Sequence, residues 1–395
     1  MDGIKDKIKI QNVTKVFGKQ PEKALKLLDE GVSKDEIFKK TGQAVGLNNV
    51  NFNVREGEIL VVMGLSGSGK STLIRCVNRL IEPTSGSTII DDVDVNKLTI
   101  DELLDLRRRK FGMVFQNFGL FPHRTVLANT EFGLEMQNVA PAERQQKARD
   151  ALKLVGLEGW EDADTTQLSG GMQQRVGLAR ALAVDPDILL MDEAFSALDP
   201  MIRRDMQHEL ITLQERVKKT ILFVSHDLDE ALKIGDRIVL MKDGRVIQIG
   251  TAEEILTNPA TEYVERFVEN VDRTQVLTAE SVMNKARAVA YPKDGPRTVL
   301  RRMRDEGLSS LYVVQRDYTL IGIVTADAAK KAIDDNKNTI AEIIDKDIPH
   351  VKGDELLSAV ISVLAERPVA LPVVDENEKL LGVIVKGSVL SALAE

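Results

Sequence analysis

An apolar run, Glu58-Ile-Leu-Val-Val-Met63, breaks at Gly64-Leu-Ser-Gly-Ser-Gly69-Lys70-Ser71 and passes into a helical pattern over 70–80. Few arrangements constrain a chain more. A buried strand, a glycine-rich turn and a helix start let backbone N–H groups curl around a phosphate, while the helix N-terminus adds a positive field. Lys70 is placed to reach the β- and γ-phosphates, and Ser71 to set its hydroxyl on Mg²⁺. Ser66, Gly67, Ser68 and Thr72 complete the candidate cradle.

Apolar strands recur at 187–191 and 220–224, with helical patterns between them, so the first 270 residues read as a mainly parallel sheet covered by helices. The first of these strands runs into Asp192-Glu193 at its C-terminal edge, where a carboxylate tied to a phosphate-bound metal belongs. Asp192 is placed on the metal and Glu193 to take a proton from an attacking water. His226 ends the other strand in Ser225-His-Asp and is placed for the γ-phosphate. Gln116 follows the strand Met113-Val-Phe115 and is placed to sense metal or water. A second anion-type helix start, Leu168-Ser169-Gly170-Gly171-Met-Gln173, introduces the helix leading to Ala183. Two such starts make little sense for one nucleotide on one chain. They make sense if two chains sandwich it.

These residues, in this order, resemble the ATP-binding subunits of ABC transporters over about residues 8–270. Gly64–Ser71 matches the Walker A motif, Gln116 the Q-loop, Leu168–Gln173 the signature, Ile188–Glu193 the Walker B motif, Ser196–Asp199 the D-loop and His226 the switch histidine. The resemblance implies ATP and Mg²⁺ as cofactors, with Ser71, Gln116 and Asp192 around the metal and Glu193, His226 and Lys70 as the catalytic set. It implies that Phe17 stacks on adenine, where tyrosine is usual, and that Asp199 belongs to the nucleotide-binding set. It further implies a head-to-tail dimer, each ATP lying between one copy's phosphate loop and the other's Ser169–Gly171. The expected fold is a P-loop ABC ATPase domain, with a RecA-like core, an antiparallel β subdomain and a helical subdomain at about 117–180.

Two additions narrow the resemblance. Residues 18–46 interrupt strand-like sequence with two short amphipathic helices, the second opened by a capping-box pattern at Ser33-Lys-Asp-Glu36. After an expected linker at 271–280, residues 311–324 return as 371–384, each a strand, a polar turn and a second strand with glycine at the same place. Tandem copies, at about 281–338 and 339–395, form one module because neither alone buries its apolar face. The repeat resembles paired CBS domains, an α+β module. The whole chain is similar to the ATPase subunit of glycine betaine/proline importers of the OpuA type. That kinship implies an integral membrane permease as partner, residence at the cytoplasmic face of a bacterial membrane, and uptake of compatible solutes under osmotic stress. Another amine or amino acid is the alternative cargo, since fold does not fix the solute.

Composition sets outer limits. At ~150 residues per domain, 395 residues give two or three domains. The lone Cys76 can form no internal disulfide. The N-terminal Met1–Lys7 lacks the apolar core of a signal peptide, and no window approaches the ~18–20 apolar residues of a membrane span. A net charge of -8 and 4% aromatic residues argue against a nucleic-acid partner. An ABC ATPase acting on nucleic acid or ribosomes normally carries two nucleotide domains or a coiled-coil insertion, and neither is present. In the repeat module, the family's ribose pattern is displaced, with Asp327 only two residues after Thr325 and Val385 and Ser388 in the second copy. That leaves a cyclic dinucleotide or no ligand. Arg301, Arg302, Arg304, Lys330 and Lys331 suggest anionic lipid as another partner, at ~1 kcal/mol per cation near a membrane surface.

Overall fold

The computed structural model describes residues 5–365 and 369–394; the first four residues of the N-terminal stretch lie outside it. The chain divides into two compact units, one ending at Val271 and the other starting at Asp272.

The first unit opens with β1 (Asp6–Phe17), helices α1 (Pro21–Asp29) and α2 (Lys34–Thr41), and β2 (Ala44–Arg55). β1 and β2 pair antiparallel from Asp6↔Arg55 to Phe17↔Ala44, so the two helices are an excursion at one end of a hairpin. Val16, Ala24, Leu28 and Ile37 bury one another there, giving the excursion a small core. α2 is capped by the Ser33 hydroxyl, which accepts from the Glu36 amide at 3.4 Å without the reciprocal arm of a capping box.

β3 (Ile59–Met63) leads through the phosphate loop into α3 (Lys70–Val77). α3 ends three residues earlier than expected because Arg79 turns left-handed, at φ 54°, and its guanidinium binds the Val95 and Leu98 carbonyls. Next come β4 (Ser85–Ile90), β5 (Val93–Asp94), α4 (Ile100–Lys110) and β6 (Phe111–Phe115). The helical stretch comprises α5 (Val126–Thr130), α6 (Phe132–Met136), α7 (Pro141–Leu154) and α8 (Gly170–Ala183). The unit closes with β7 (Ile188–Asp192), α9 (Pro200–Val217), β8 (Thr220–Ser225), α10 (Leu228–Ile234), β9 (Arg237–Lys242), β10 (Arg245–Gly250), α11 (Ala252–Thr257) and α12 (Glu262–Val268).

Two sheets result. One is antiparallel, in the order β2-β1-β4-β5; the other, β10-β9-β3-β8-β7-β6, is parallel except at β10. β3, β7 and β8 are buried along their whole length, as strands covered by helices on both faces must be. Their apolar residues join those of α3 and the antiparallel sheet in one core. Cys76 lies in it, and burial pushes its thiol up to about 12 from an ordinary 9.0. At pH 8 that shift leaves about a thousandfold less thiolate than in the unfolded chain. Iodoacetamide is therefore expected to leave Cys76 unmodified in the native protein and to alkylate it in urea, as read by intact mass; native labelling at the denatured rate would refute its burial.

The second unit holds the two copies of the repeat. The first runs through α13 (Ala279–Val282), β11 (Val289–Ala290), α14 (Pro296–Glu306), β12 (Ser310–Val314), β13 (Leu320–Thr325) and α15 (Ala326–Asp334). The second runs through β14 (Val351–Lys352), α16 (Leu357–Ala365), β15 (Leu371–Val374), β16 (Leu380–Ile384) and α17 (Lys386–Ala394). Each forms a three-stranded sheet of the same order and sense. The copies trade leading segments. Leu277, Ala279 and Val282 lie in the core of the second copy, and Ile340 fills that of the first. The stretch 271–280 is therefore not a free linker: Leu277 and Ala279 are buried. The two hairpin turns also bond to each other, through Leu320 N to Glu378 O at 2.8 Å and Leu380 N to Tyr318 O at 2.9 Å.

The basic patch is smaller than expected. Arg302 turns inward and donates to the Val289 carbonyl and to Asp294, leaving Arg301 and Arg304 exposed on α14. Thr325 caps α15, its hydroxyl accepting from Ala328 N at 3.2 Å.

Candidate active site

The parallel sheet assembles the site by register. Met63 pairs with Ser225, Val224 with Asp192, and Asp192 with Phe115, so four strands end level with one another. The residues just beyond those ends are the phosphate loop, His226, Glu193 and Gln116. Residues scattered over more than 160 positions of sequence thus meet along one edge, where ligands of open parallel sheets bind.

Between the phosphate loop and that edge lies a groove of about 530 Å³, lined by Ser66, Gly67, Gly69, Lys70, Ser71, Thr72, Glu193 and His226 among others. The loop is held tightly from behind. A Cβ on Gly69, at φ 101°, would lie 2.4 Å from the Gly46 carbonyl, and one on Gly64 would lie 2.1 Å from that of Met241. Only glycine fits either place. Lys70 is buried, and its Nζ donates to the Gly64 and Leu65 carbonyls at 2.8 and 3.3 Å. Burial lowers its ammonium below the ordinary lysine value, while the charges of Glu193 and Asp192 pull it back up. The Ser68 hydroxyl is buried without a hydrogen-bond partner among the described residues. An anion seated in the loop would answer both groups.

Ser71 Oγ donates to Asp192 Oδ1 at 3.0 Å, and Arg75 pairs with the other carboxylate oxygen at 3.3 Å. A hydroxyl and a carboxylate side by side suit a hard divalent cation. Among the described residues no cluster of three or more His, Cys, Asp or Glu could hold a metal alone.

Glu193 stands at the centre. Gln116 Nε2 donates to its Oε2 at 3.2 Å, and His226 Nδ1 lies 3.2 Å from the same oxygen. Its backbone is left-handed, at φ 49°, a conformation costly for a residue with a Cβ. The conformation is held by its own N–H on the Val224 carbonyl and by the Ser196 hydroxyl on its carbonyl. Behind His226, Glu230 is buried. It accepts from Ser225 Oγ and from Gln207 Nε2, and burial raises its carboxyl above the ordinary value.

Of the other expected residues, Ser169, Gly170, Gly171, Gln173 and Asp199 do not line this groove, whereas Phe17 packs on Gly46 at its edge. Ser169 caps α8, its Oγ accepting from Met172 N at 3.3 Å, and Gly170 and Gly171 form the first turn. A Cβ on Gly171 would meet Ile202 at 2.6 Å. Gln173 points back, its amide donating to the Thr165 and Leu168 carbonyls. Asp199 caps α9 on the N–H groups of Met201 and Ile202. Phe17 is 40% exposed, with its ring against Gly46 and the Lys15 ammonium 5.1 Å from the ring centre.

Three contributors were not legible in sequence. Arg75 pairs with Asp192; its place one turn past Ser71 on α3 was the available clue. Lys34 reaches from the helical excursion to the Gly67 carbonyl at 3.3 Å while paired with Asp243 at 2.8 Å. Arg180, on α8, donates to the Phe118 and Gly119 carbonyls just after Gln116. The last two have no local signal, since both partners are distant in sequence.

The ABC transporter family model matches residues 47–196, and the CBS domain model matches 279–335 and 340–395. The glycine betaine transport ATP-binding protein OpuAA of Bacillus subtilis is 54% identical over 98% of this chain and 92% of its own length. The glycine betaine/proline betaine transport system ATP-binding protein ProV of Escherichia coli is 48% identical over 98% of this chain and 97% of its own. Among solved structures, the dimeric post-hydrolysis state of the ATP-binding cassette MJ0796 bound to ADP and Pi is similar at TM-score 0.53 and 37% identity. It covers 62% of this chain and 98% of that one.

Proposed function

This chain belongs to the family of ABC-type ATP-binding subunits of glycine betaine transport systems, and on that premise we propose that it hydrolyses ATP to drive import of glycine betaine/proline-type compatible solutes. The observation that carries the chemistry is the convergence of Gln116 and His226 on one oxygen of Glu193, beside Lys70 and the Ser71–Asp192 pair. Glu193 takes the proton of the attacking water, and its two neighbours hold the carboxylate by Oε2, leaving Oε1 to receive it. Lys70 exchanges its loop carbonyls for phosphate oxygens and stabilises charge gathering there. Ser71 and Asp192, with Gln116 beside them, would hold Mg²⁺, which would supply charge neutralisation for the transferred phosphoryl group.

A second copy, docked head to tail, supplies Ser169, Gly170 and Gly171 as donors to the far side of the same nucleotide. That role suits their absence from this copy's groove. Among the described residues no helix is long and apolar enough to cross a membrane. Work at the cytoplasmic face therefore rests on a permease. The groove of about 350 Å³ walled by Leu104, Phe111, Phe121, Phe132, Met136 and Arg180 suits a helix of that partner. Arg180 would report its occupancy to the segment after Gln116. In the second unit, exposed Arg301 and Arg304 on anionic lipid, or a cyclic dinucleotide between the copies, would regulate turnover. Screening over about 8 Å at ~0.15 M salt weakens lipid docking as internal salt rises.

The test is uptake of radiolabelled glycine betaine by cells lacking their own betaine transport, given this subunit with its neighbouring permease and receptor. Wild-type chain is expected to restore uptake and Glu193→Gln to abolish it. Restored uptake of a different amine or amino acid, without betaine, would favour the alternative cargo. Vesicles with and without anionic lipid or added cyclic dinucleotide assign the regulator.

A further inference from the structure

The excursion α1–α2 has no part in the chemistry so far, yet it bears on the phosphate loop. Lys34, the first residue of α2, donates to the Gly67 carbonyl at 3.3 Å and pairs with Asp243 at 2.8 Å. The helix that carries it is fixed. Ser33 caps α2 just before Lys34, and Ile37, three residues on, is buried in the small core of the excursion. Asp243 sits in the turn between β9 and β10, where it and Gly244 reverse the chain at φ 53° and 79°. That turn braces the loop as well. Gly244 N donates to the Ser68 carbonyl at 3.0 Å, and the Lys242 ammonium lies 4.4 Å from the ring centre of Tyr263 on α12.

Two successive carbonyls of the loop, those of Gly67 and Ser68, are therefore held by donors outside the motif. The Ser68 contact aims an amide. In a trans peptide plane a carbonyl held from behind turns the N–H at the other end, here that of Gly69, toward the groove that Gly69 lines. The Gly67 contact steadies the turn Leu65–Ser68, which closes through Ser68 N on the Leu65 carbonyl at 3.1 Å. Lys70 grips the same turn on the Gly64 and Leu65 carbonyls. A bound phosphate draws Lys70 off those carbonyls. Lys34 makes no such exchange, because Asp243 already answers its charge.

We infer that Lys34 is a positioning residue of the phosphate loop, holding the Leu65–Ser68 turn closed when Lys70 moves to phosphate, with Asp243 tethering the lysine for that task. The inference rests on the ATP site proposed above. Lys34 acts by orienting a carbonyl and not by attracting the phosphates, since its charge is met 2.8 Å away. The helical excursion thus completes the nucleotide site from outside the motif.

Calorimetric titration of the full-length protein in EDTA, with ATP and with inorganic tripolyphosphate, tests it. Lys34→Met is expected to weaken both ligands by the same factor, about 2–10-fold, the worth of one hydrogen bond from a partly exposed donor. Lys34→Arg is expected to recover most of that loss, because a long cationic donor is kept. Asp243→Asn retains a residue that tolerates the left-handed backbone and is expected to weaken both ligands too, since the lysine loses its tether. In turnover with magnesium, the loss in Lys34→Met should appear in KM for ATP more than in kcat, whereas a partly unfolded variant would lose kcat. Tighter tripolyphosphate binding in Asp243→Asn would overturn the inference, because the freed lysine would then act as a bare charge on the phosphates. A loss confined to ATP, or no loss of either ligand in Lys34→Met, overturns it while leaving the ATP site intact. Failure of the wild-type chain to bind either ligand overturns the ATP site itself.

Discussion

Replacing Glu193 by glutamine is expected to lower ATP turnover by ~10²–10⁴-fold, the usual contribution of a positioned general base, while leaving ATP affinity nearly unchanged. The side chain keeps its shape, and the oxygen that meets Gln116 Nε2 and His226 Nδ1 is retained, so the loop and strand ends stay in place. What is lost is the capacity to hold the water's proton. ATP bound and not cleaved should hold two copies together. Phosphate release measures the first effect, and light scattering with ATP and magnesium the second. Turnover within a few-fold of wild type would remove Glu193 as the base. A protein that stays a single copy with ATP bound, alone and beside its permease, would remove the shared site.

Leu277→Ala should destabilise the second repeat copy by about 2–5 kcal/mol, the cost of emptying a buried leucine site, although Leu277 precedes the first copy in sequence. Leu277 is 2% exposed and packs with Val351, Leu357, Leu371, Val373 and Ile384. Hydrogen exchange resolved by peptide distinguishes the copies. The amides of β15 and β16 should lose protection earlier than those of β12 and β13, whose core holds Ala290, Val299, Leu311 and Ile340 instead. Equal loss in both copies would mean that the module unfolds as one unit. Loss confined to the first copy would contradict the exchange of leading segments.

The phosphate loop, the acid pair at 192–193 and the cap at Ser169 were readable because each is local. A strand period, a glycine run and a helix start fall within a dozen residues, and the side chains that matter sit on the turn between them. The repeat was readable for a similar reason, since its two copies share one pattern. The linker at 271–280 was misread because a short polar stretch with few apolar residues looks alike in a tether and in a swapped segment. Only the burial of Leu277 and Ala279 separates the two. Arg302 was misread because charge on an amphipathic helix defaults to solvent, whereas Asp294 and the Val289 carbonyl turn it inward.

Sequence alone determined that the chain carries a phosphate loop between a strand and a helix, that a second anion-type helix start stands at Ser169, and that a doubled module follows. Those properties depend on residue types at fixed short spacings, which the backbone converts into geometry without help from the rest of the chain. Tertiary structure alone decided which residues answer one another. The level ends of four parallel strands set Gln116 and His226 on one oxygen of Glu193, and the register that aligns them belongs to the sheet rather than to any segment. It also decided that the excursion at 18–46 reaches the phosphate loop, because a single long side chain, Lys34, closes a contact across 33 positions of sequence for which no local pattern codes.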